Sequence, residues 1–575
     1  MEVTTNEKFK ICLAMAGAVS AGAYTGGVMD YLLETLELWE KAKQQNRILG
    51  IEHPDYNFSI PMHDVEIDVI SGSSAGGISG SLAMLNVVDE TYQYVNKDNS
   101  FGKSNRFYQS WVEMGDDATS STFEKMLSTE DLVKGKLPNS LLNSKPIDVI
   151  AENALKINYV KPYPSYISES LDLILTTTNL RGINFKIDFG GNEKSGSVIT
   201  SHAGFFRYKL TNGKYKNGIP DGDDLYYVLD LDNPKDMGYL KDATLSTAAF
   251  PIGLKSREVA ISQQYVERYP KYLFGQRRGI YPLIKENTVY KFNSIDGGLI
   301  NNEPFAISLK VLKEKNAQEI LAQDRYAVIM IDPFPNKDND VEAENPKRDI
   351  ISIAKGMFKA LRNQVMFNQD GILEALELND RTKFLIEPVR KISAKGVMTR
   401  AKNDLASAPF SGFAGFIDKS FRQHDYYLGR QNCQAFLRYY FGVPESDVLK
   451  RLTEYPHIEA FDRFYYNESQ FEPSSRKLYP IIPDMRVLKA STNQVDVANF
   501  GIDAQLDYPS YPSISKSELE NKYKKLMKRR LEAVSNALVS NFWFKIANRL
   551  FIRNKLYKGV EGLLFDELDD ADLLK

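Results

Sequence analysis

Five serines fall within eleven positions of IDVISGSSAGGISGSLAML, residues 67–85. A serine hydroxyl is a weak nucleophile and needs both an exposing geometry and a base to take its proton. Of the five, Ser74 alone has glycine two positions before and two after, in Gly72-Ser73-Ser74-Ala75-Gly76. That spacing suits a sharp, strained turn from strand to helix, where flanking side chains would collide with neighbours. The free N–H groups and dipole of the following helix would favour negative charge on the serine oxygen and on a tetrahedral intermediate. A run of small residues also describes a helix packed tightly on a sheet, and Ser73, Ser79 and Ser81 are read more simply that way.

The base has few candidates. The histidines are His53, His63, His202, His424 and His457. His53 and His63 precede the serine in a loop, His202 lies in a turn-rich segment and His457 in a polar stretch. His424, followed by Asp425, is the best of them, but none closes an expected sheet strand. Asp296 does: it ends YKFNSID and is followed by Gly297 and Gly298. A carboxylate there, with no side chains behind it, can accept the serine proton directly. Asp-Gly-Gly is also a common turn, and that reading stands beside the chemical one.

Such groups need a rigid frame. Strands are expected at 10–16, 66–71, 171–180, 288–295 and 326–332, several of them continuous apolar runs like those of parallel strands covered on both faces. Helices are expected at 24–40, 75–88 and 303–315, and the alternation predicts an α/β sheet. Residues 185–240 are turn-rich and read as hairpins or an excursion from the sheet. Within them PDGDD lacks the pattern of a calcium loop and reads as a solvated turn. Beyond residue 335 the alternation fades. KDNDVEAENPKRD (337–349) is the expected boundary, with helices at 349–378, 415–442 and 515–556, the last opened by a capping box of Ser515 and Glu518.

Composition narrows the field. The chain has 575 residues, a formal net charge of -3, 43% hydrophobic and 26% charged residues, an ordinary globular balance with no excess of cations to bind nucleic acid in bulk. Cys12 and Cys433 are the two cysteines, too few for a disulfide framework or a metal site, and they fit a reducing compartment. No apolar run reaches membrane-spanning length. KFKICLAMAGAVSAGA has the outline of a secretory signal, but the helical periodicity that follows favours strand, loop and helix. The expectation is a cytoplasmic protein. From Lys516 to Lys558 there are twelve Lys and Arg against three Glu, and residues 566–572 are acidic. The basic stretch, with Trp543, Phe544 and Phe551, reads either as a helix packed by its aromatic face or as a peripheral contact with an anionic membrane.

The loop AGAVSAGAYTGGV (16–28), the elbow GSSAG and the turn DGGLINNEP (296–304) resemble, in order and context, the patatin-like phospholipase family. LTTTNLRG (175–182) and ATLSTAAFP (243–251) extend the resemblance over most of residues 8–335. Residues 415–441 look like the C-terminal region of larger bacterial members. The resemblance implies a mostly parallel central sheet flanked by helices over 1–335, and a mainly helical region over 336–575 with a basic helix at 515–558. It implies a Ser74–Asp296 dyad without histidine, a lipid or phospholipid acyl ester as substrate, and no metal or organic cofactor. It also assigns the oxyanion hole to the amides of Gly17, Ala18 and Val19, joined by that of Ala75. The family's loop is typically three glycines, any residue, a basic residue and glycine; here Ala18 and Val19 replace glycines and Ala21 replaces the basic residue. A β-branched Val19 disfavours positive φ, so donation from other amides, or weaker donation, is expected, and one lost donor costs about 2.7–4 kcal/mol of transition-state stabilisation. Two rival functions stay open: a patatin-fold binding or scaffold protein, and a serine esterase dependent on His424 or His457. No Walker sequence or dinucleotide fingerprint is present.

Overall fold

The computed structural model describes residues 8–95, 105–157, 160–188, 196–211, 218, 224–273, 280–285, 289–316, 325–335, 383–394, 397–444, 464–468, 475–486, 506–538 and 553–575. The expected helix at 349–378, the aromatic stretch at 543–551, His457 and most of PDGDD lie outside these residues.

The N-terminal apolar run forms strand β1 (Phe9–Met15), and the 28 residues of α1 (Gly22–Leu49) follow a single 3-10 turn at Val19–Ala21. Strand β2 (Val65–Gly72) leads directly into α2 (Ala75–Asn86). Then come β3 (Ile167–Asp188), β4 (Gly196–Thr211), β5 (Tyr227–Val228), α3 (Pro234–Thr247), β6 (Arg257–Ser262), β7 (Ile280–Pro282) and β8 (Val289–Asp296). Helix α4 (Phe305–Lys315) and strands β9 (Tyr326–Ile331) and β10 (Lys383–Ile386) complete the sheet region.

One sheet carries these ten strands: seven run in the order β10-β9-β1-β2-β3-β4-β5, and β6, β7 and β8 pair off this path. The pairs from β10 to β3 are parallel. Strands β4, β7 and β8 run antiparallel to β3, and β6 runs antiparallel to β8. The mostly parallel α/β fold is therefore as expected. The long hairpin of β3 and β4 stays inside the sheet, and the sheet takes its edge strand β10 from beyond residue 335. Burial explains the parallel part: every residue of β2 is buried, as are all but one in β1 and in β9. Such strands are mostly apolar on both faces, and the two buried acids of β2, Glu66 and Asp68, are paired with Lys10 and Lys315.

The C-terminal region is mainly helical where it is described, with α5 (Lys419–Tyr439), α6 (Lys516–Leu538) and α7 (Arg553–Asp570), beside a two-stranded ribbon (Lys391–Ala394 with Val397–Arg400) and a small three-stranded sheet (Gly442–Pro444, Tyr466–Asn467 and Lys477–Pro480). Helix α5 crosses α1 with the two backbones touching. A Cβ on Gly27 would overlap the Tyr426 carbonyl, and one on Gly429 the Tyr24 carbonyl. At this crossing Arg430, 2% exposed, is held between Asp30 and Glu34 of α1. Removing one member of such a buried set strands the others' charge, so the pairing ties α5 to the helix that follows the 17–22 loop. Helix α6 is also packed by one face, through Leu519, Tyr523, Met527 and Val534. Among the described residues no helix is long and apolar enough to cross a membrane.

Candidate active site

Ser74 stands between the end of β2 and the first turn of α2, with φ 52° and ψ -122°. A non-glycine residue rarely adopts positive φ, and one found there is held by its surroundings. Those surroundings require the two flanking glycines. A Cβ on Gly76 would overlap the Met15 carbonyl at the end of β1, and one on Gly72 would overlap the Gly76 carbonyl. The Ser74 N–H donates to Thr247 Oγ1 at 2.9 Å, so the last residue of α3 holds the turn from the other side.

The Ser74 hydroxyl donates to Asp296 Oδ2 at 2.5 Å. Both residues are buried, 6% and 4% exposed. Asp296 ends β8, which pairs antiparallel with the Thr-rich middle of β3, Thr177 facing Asp296 in the register. Its other carboxylate oxygen accepts the Gly298 N–H at 2.7 Å, its N–H donates to the Ala249 carbonyl at 2.9 Å, and its carbonyl accepts the Thr178 hydroxyl at 2.9 Å. Gly297 lies so close to Thr176 that a Cβ would overlap the threonine hydroxyl. The residue is thus fixed by its backbone and by one carboxylate oxygen, and the other oxygen accepts from the serine.

The 17–19 loop reaches the same place. An ideal Cβ on Gly17 would lie 3.0 Å from Ser74 Cβ and 2.5 Å from Asn302 Oδ1. The Gly17 N–H donates to the Asn302 carbonyl at a long 3.3 Å. Among the described residues no acceptor is found for the N–H of Ala18, Val19 or Ala75. Val19 does adopt positive φ, 50°, so the β-branched side chain has not prevented the turn that glycine would make. The restraint comes from a distant segment. The Ser20 hydroxyl donates to the Gly412 carbonyl, and Gly412 packs on Ala18 and Val19.

Of the remaining histidines, His424 is fully buried on α5. Its Nδ1 lies 2.9 Å from Asp425, whose carboxylate accepts the N–H groups of Ala406 and Ser407. His202 Nδ1 is bound to the Asn179 carbonyl, and His63 Nε2 to that of Ile481. Thr247, Asn302 and the 407–416 segment were not among the expected site residues. ATLSTAAFP and the Asn-Asn-Glu-Pro continuation carried the first two in the sequence; nothing local marked the third. No group of three or more His, Cys, Asp or Glu able to hold a metal occurs among the described residues.

A second carboxylate sits behind the loop. Asp332 follows β9 and accepts the Phe334 N–H at 2.9 Å. Burial, with Glu303 and Glu387 adding repulsion, pushes its pKa up to about 6. The folded protein therefore holds this proton more tightly than the unfolded chain does. Its contribution to stability is full below about pH 4 and lost as pH rises through about 6. Asp332→Asn, which keeps the acceptor and removes the charge, is expected to stabilise the protein by about 1–3 kcal/mol at pH 7.5 and by little at pH 4. Chemical denaturation at the two pH values checks this; an equal effect at both would show that the gain does not come from the charge.

A family profile described as patatin-like phospholipase matches residues 13–309. An uncharacterized protein, y4iI, of Sinorhizobium fredii is 30% identical over 576 aligned positions, covering 92% of this chain and 76% of that protein.

Proposed function

The chain belongs to the patatin-like phospholipase family, and from that premise we propose that it is a serine carboxylic-ester hydrolase of phospholipase A type, with Ser74 as nucleophile and Asp296 as base. The carrying observation is the 2.5 Å contact of Ser74 Oγ with Asp296 Oδ2 at the N-terminus of α2. In this reading Ser74 Oγ attacks the ester carbonyl carbon while Asp296 takes the hydroxyl proton. The oxyanion is held by the amides of Ala18 and Val19, for which no acceptor is found among the described residues, and by that of Ala75. Collapse expels the alcohol, a lysolipid for a phospholipid substrate, which receives the proton from Asp296. Water then attacks the acyl-enzyme, gives its proton to Asp296, and the fatty acid leaves as Ser74 is reprotonated. The protons balance over the cycle and no metal or organic cofactor takes part.

The test is covalent labelling with a fluorophosphonate, coupled to turnover of a short-chain ester. The wild type should be labelled at Ser74 and Ser74→Ala should not. A folded wild type that neither labels nor turns over an ester would favour the binding or scaffold reading instead.

A further inference from the structure

We propose that the loop 128–145, with Ile252, is the surface on which this protein docks on an anionic lipid bilayer. The proposal rests on the lipid acyl hydrolase reading. Four large apolar side chains stand out into solvent here: Val133 at 59% exposure, Leu137 at 71%, Leu141 at 45% and Ile252 at 74%. Single exposed apolar residues are ordinary, but a group of them with cations between is the signature of an interaction surface. Two of the four are joined through their backbones. The Leu141 N–H donates to the Ile252 carbonyl at 2.8 Å and the Leu142 N–H to that of Gly253 at 3.0 Å.

The tip of the loop is a turn closed by the Lys136 N–H on the Val133 carbonyl, with Gly135 at φ +81° and open space around it. It presents apolar, Lys, Gly, Lys, apolar in sequence. From Leu132 to Ile147 there is no acid and there are three lysines, Lys134, Lys136 and Lys145. Among the described residues none of the three forms an ion pair. On the rising side of the loop stand two acids: Glu130 is exposed, and Asp131 is paired with Arg530 of α6. Lysines flanking apolar side chains suit the boundary of an anionic bilayer, where the charge meets head groups and the apolar groups enter the acyl region.

Two further observations favour a bilayer over a solvated loop. First, the base of the loop is built. The Arg530 guanidinium, 2% exposed, donates to the carbonyls of Ser128 (2.7 Å), Ser140 (3.2 Å) and Leu141 (2.8 Å), tying both ends of the loop together. The tip is therefore held out with little ordering left to do on contact. Second, the surface adjoins the candidate site. Ile252 is three residues from Ala249, whose carbonyl accepts the Asp296 N–H, and three residues span at most about 11 Å. A bilayer touching Ile252 would lie within about that distance of the backbone that holds Asp296.

Co-sedimentation of the full chain with phosphatidylcholine vesicles, with and without phosphatidylglycerol, tests this. Wild type and Ser74→Ala are expected to pellet with the anionic vesicles and less so at high salt. Leu137→Asp should weaken partitioning tenfold or more, roughly what removing one large apolar anchor implies. Lys134→Glu with Lys136→Glu should weaken it by about fivefold or more for each lysine removed. All these loop variants should keep the wild-type melting temperature and short-chain ester turnover. Loop variants that pellet like the wild type, or a wild type that does not pellet, would overturn the proposal. Because Ser74→Ala reports binding without turnover, failure of docking and failure of the hydrolase reading give different results.

Discussion

Replacing Asp296 by Asn is expected to lower kcat/KM for a short-chain ester by about 10²–10⁴-fold, the usual worth of a positioned general base. Asn keeps the size of the side chain and one carbonyl oxygen to accept the Gly298 N–H, now at 2.7 Å. What it loses is the ability to take a proton from Ser74. Ser74→Ala should cost as much or more, since groups that act as a unit are not additive, and the double variant should be no worse than the poorer single one. His424→Ala is the informative comparison. Its ring is enclosed by Tyr508 and Tyr511 and turned toward Asp425, and Asp425 already holds two backbone N–H groups. Loss of that ring should lower the melting temperature but leave kcat of the folded fraction within about threefold, well short of the loss of a general base. Near-normal turnover in Asp296→Asn together with collapse in His424→Ala would reject the dyad and restore a histidine mechanism.

The contrast between those two residues also shows what the sequence could carry. Asp296 was legible because a strand pattern ended on it and two glycines followed. The elbow at Ser74 was legible because close approach demands glycine at fixed offsets, and here those offsets meet the carbonyls of Met15 and Gly76. The parallel strands were legible from burial on both faces. Strand β3 was read at less than half its 22 residues, because its outer part pairs antiparallel with β4 and β7 and alternates polar with apolar positions. Helix α3 was passed over within a turn-rich region, although Asn233 caps it and Pro234 opens it, the usual start signal. The support of the 17–22 loop could not have been read locally: Ser20 and Gly412 are 392 residues apart in the chain. The same holds for Arg530, whose partners lie about 400 positions earlier.

That distant support leads to the second large effect. Gly412→Val is expected to lower kcat by about 10²–10³-fold with a smaller change in KM, the cost of a misplaced oxyanion donor. Gly412 has φ +95°, and its ideal Cβ would lie 2.6 Å from the Ala18 carbonyl, 3.2 Å from Phe334 and 3.3 Å from Val19 Cβ. The neighbouring Phe410 and Ser411 also have positive φ, 57° and 56°, and the Glu567 carboxylate on α7 accepts the Phe410 N–H at 2.5 Å. The segment is thus fixed from behind by the C-terminal helix and cannot retreat from an added side chain. The loop must move instead, and with it the amides of Ala18 and Val19. Gly50→Val separates this from backbone strain alone. Gly50 also has positive φ, 76°, with nothing within 4 Å of its ideal Cβ, so it should lower stability without touching kcat. Ser20→Ala, which removes only the hydroxyl bond to Gly412, should cost about 1 kcal/mol of stability and less than tenfold in kcat. If Gly412→Val turns over at the wild-type rate, the oxyanion is not held by this loop, and the amide of Ala75 at the head of α2 becomes the donor to test.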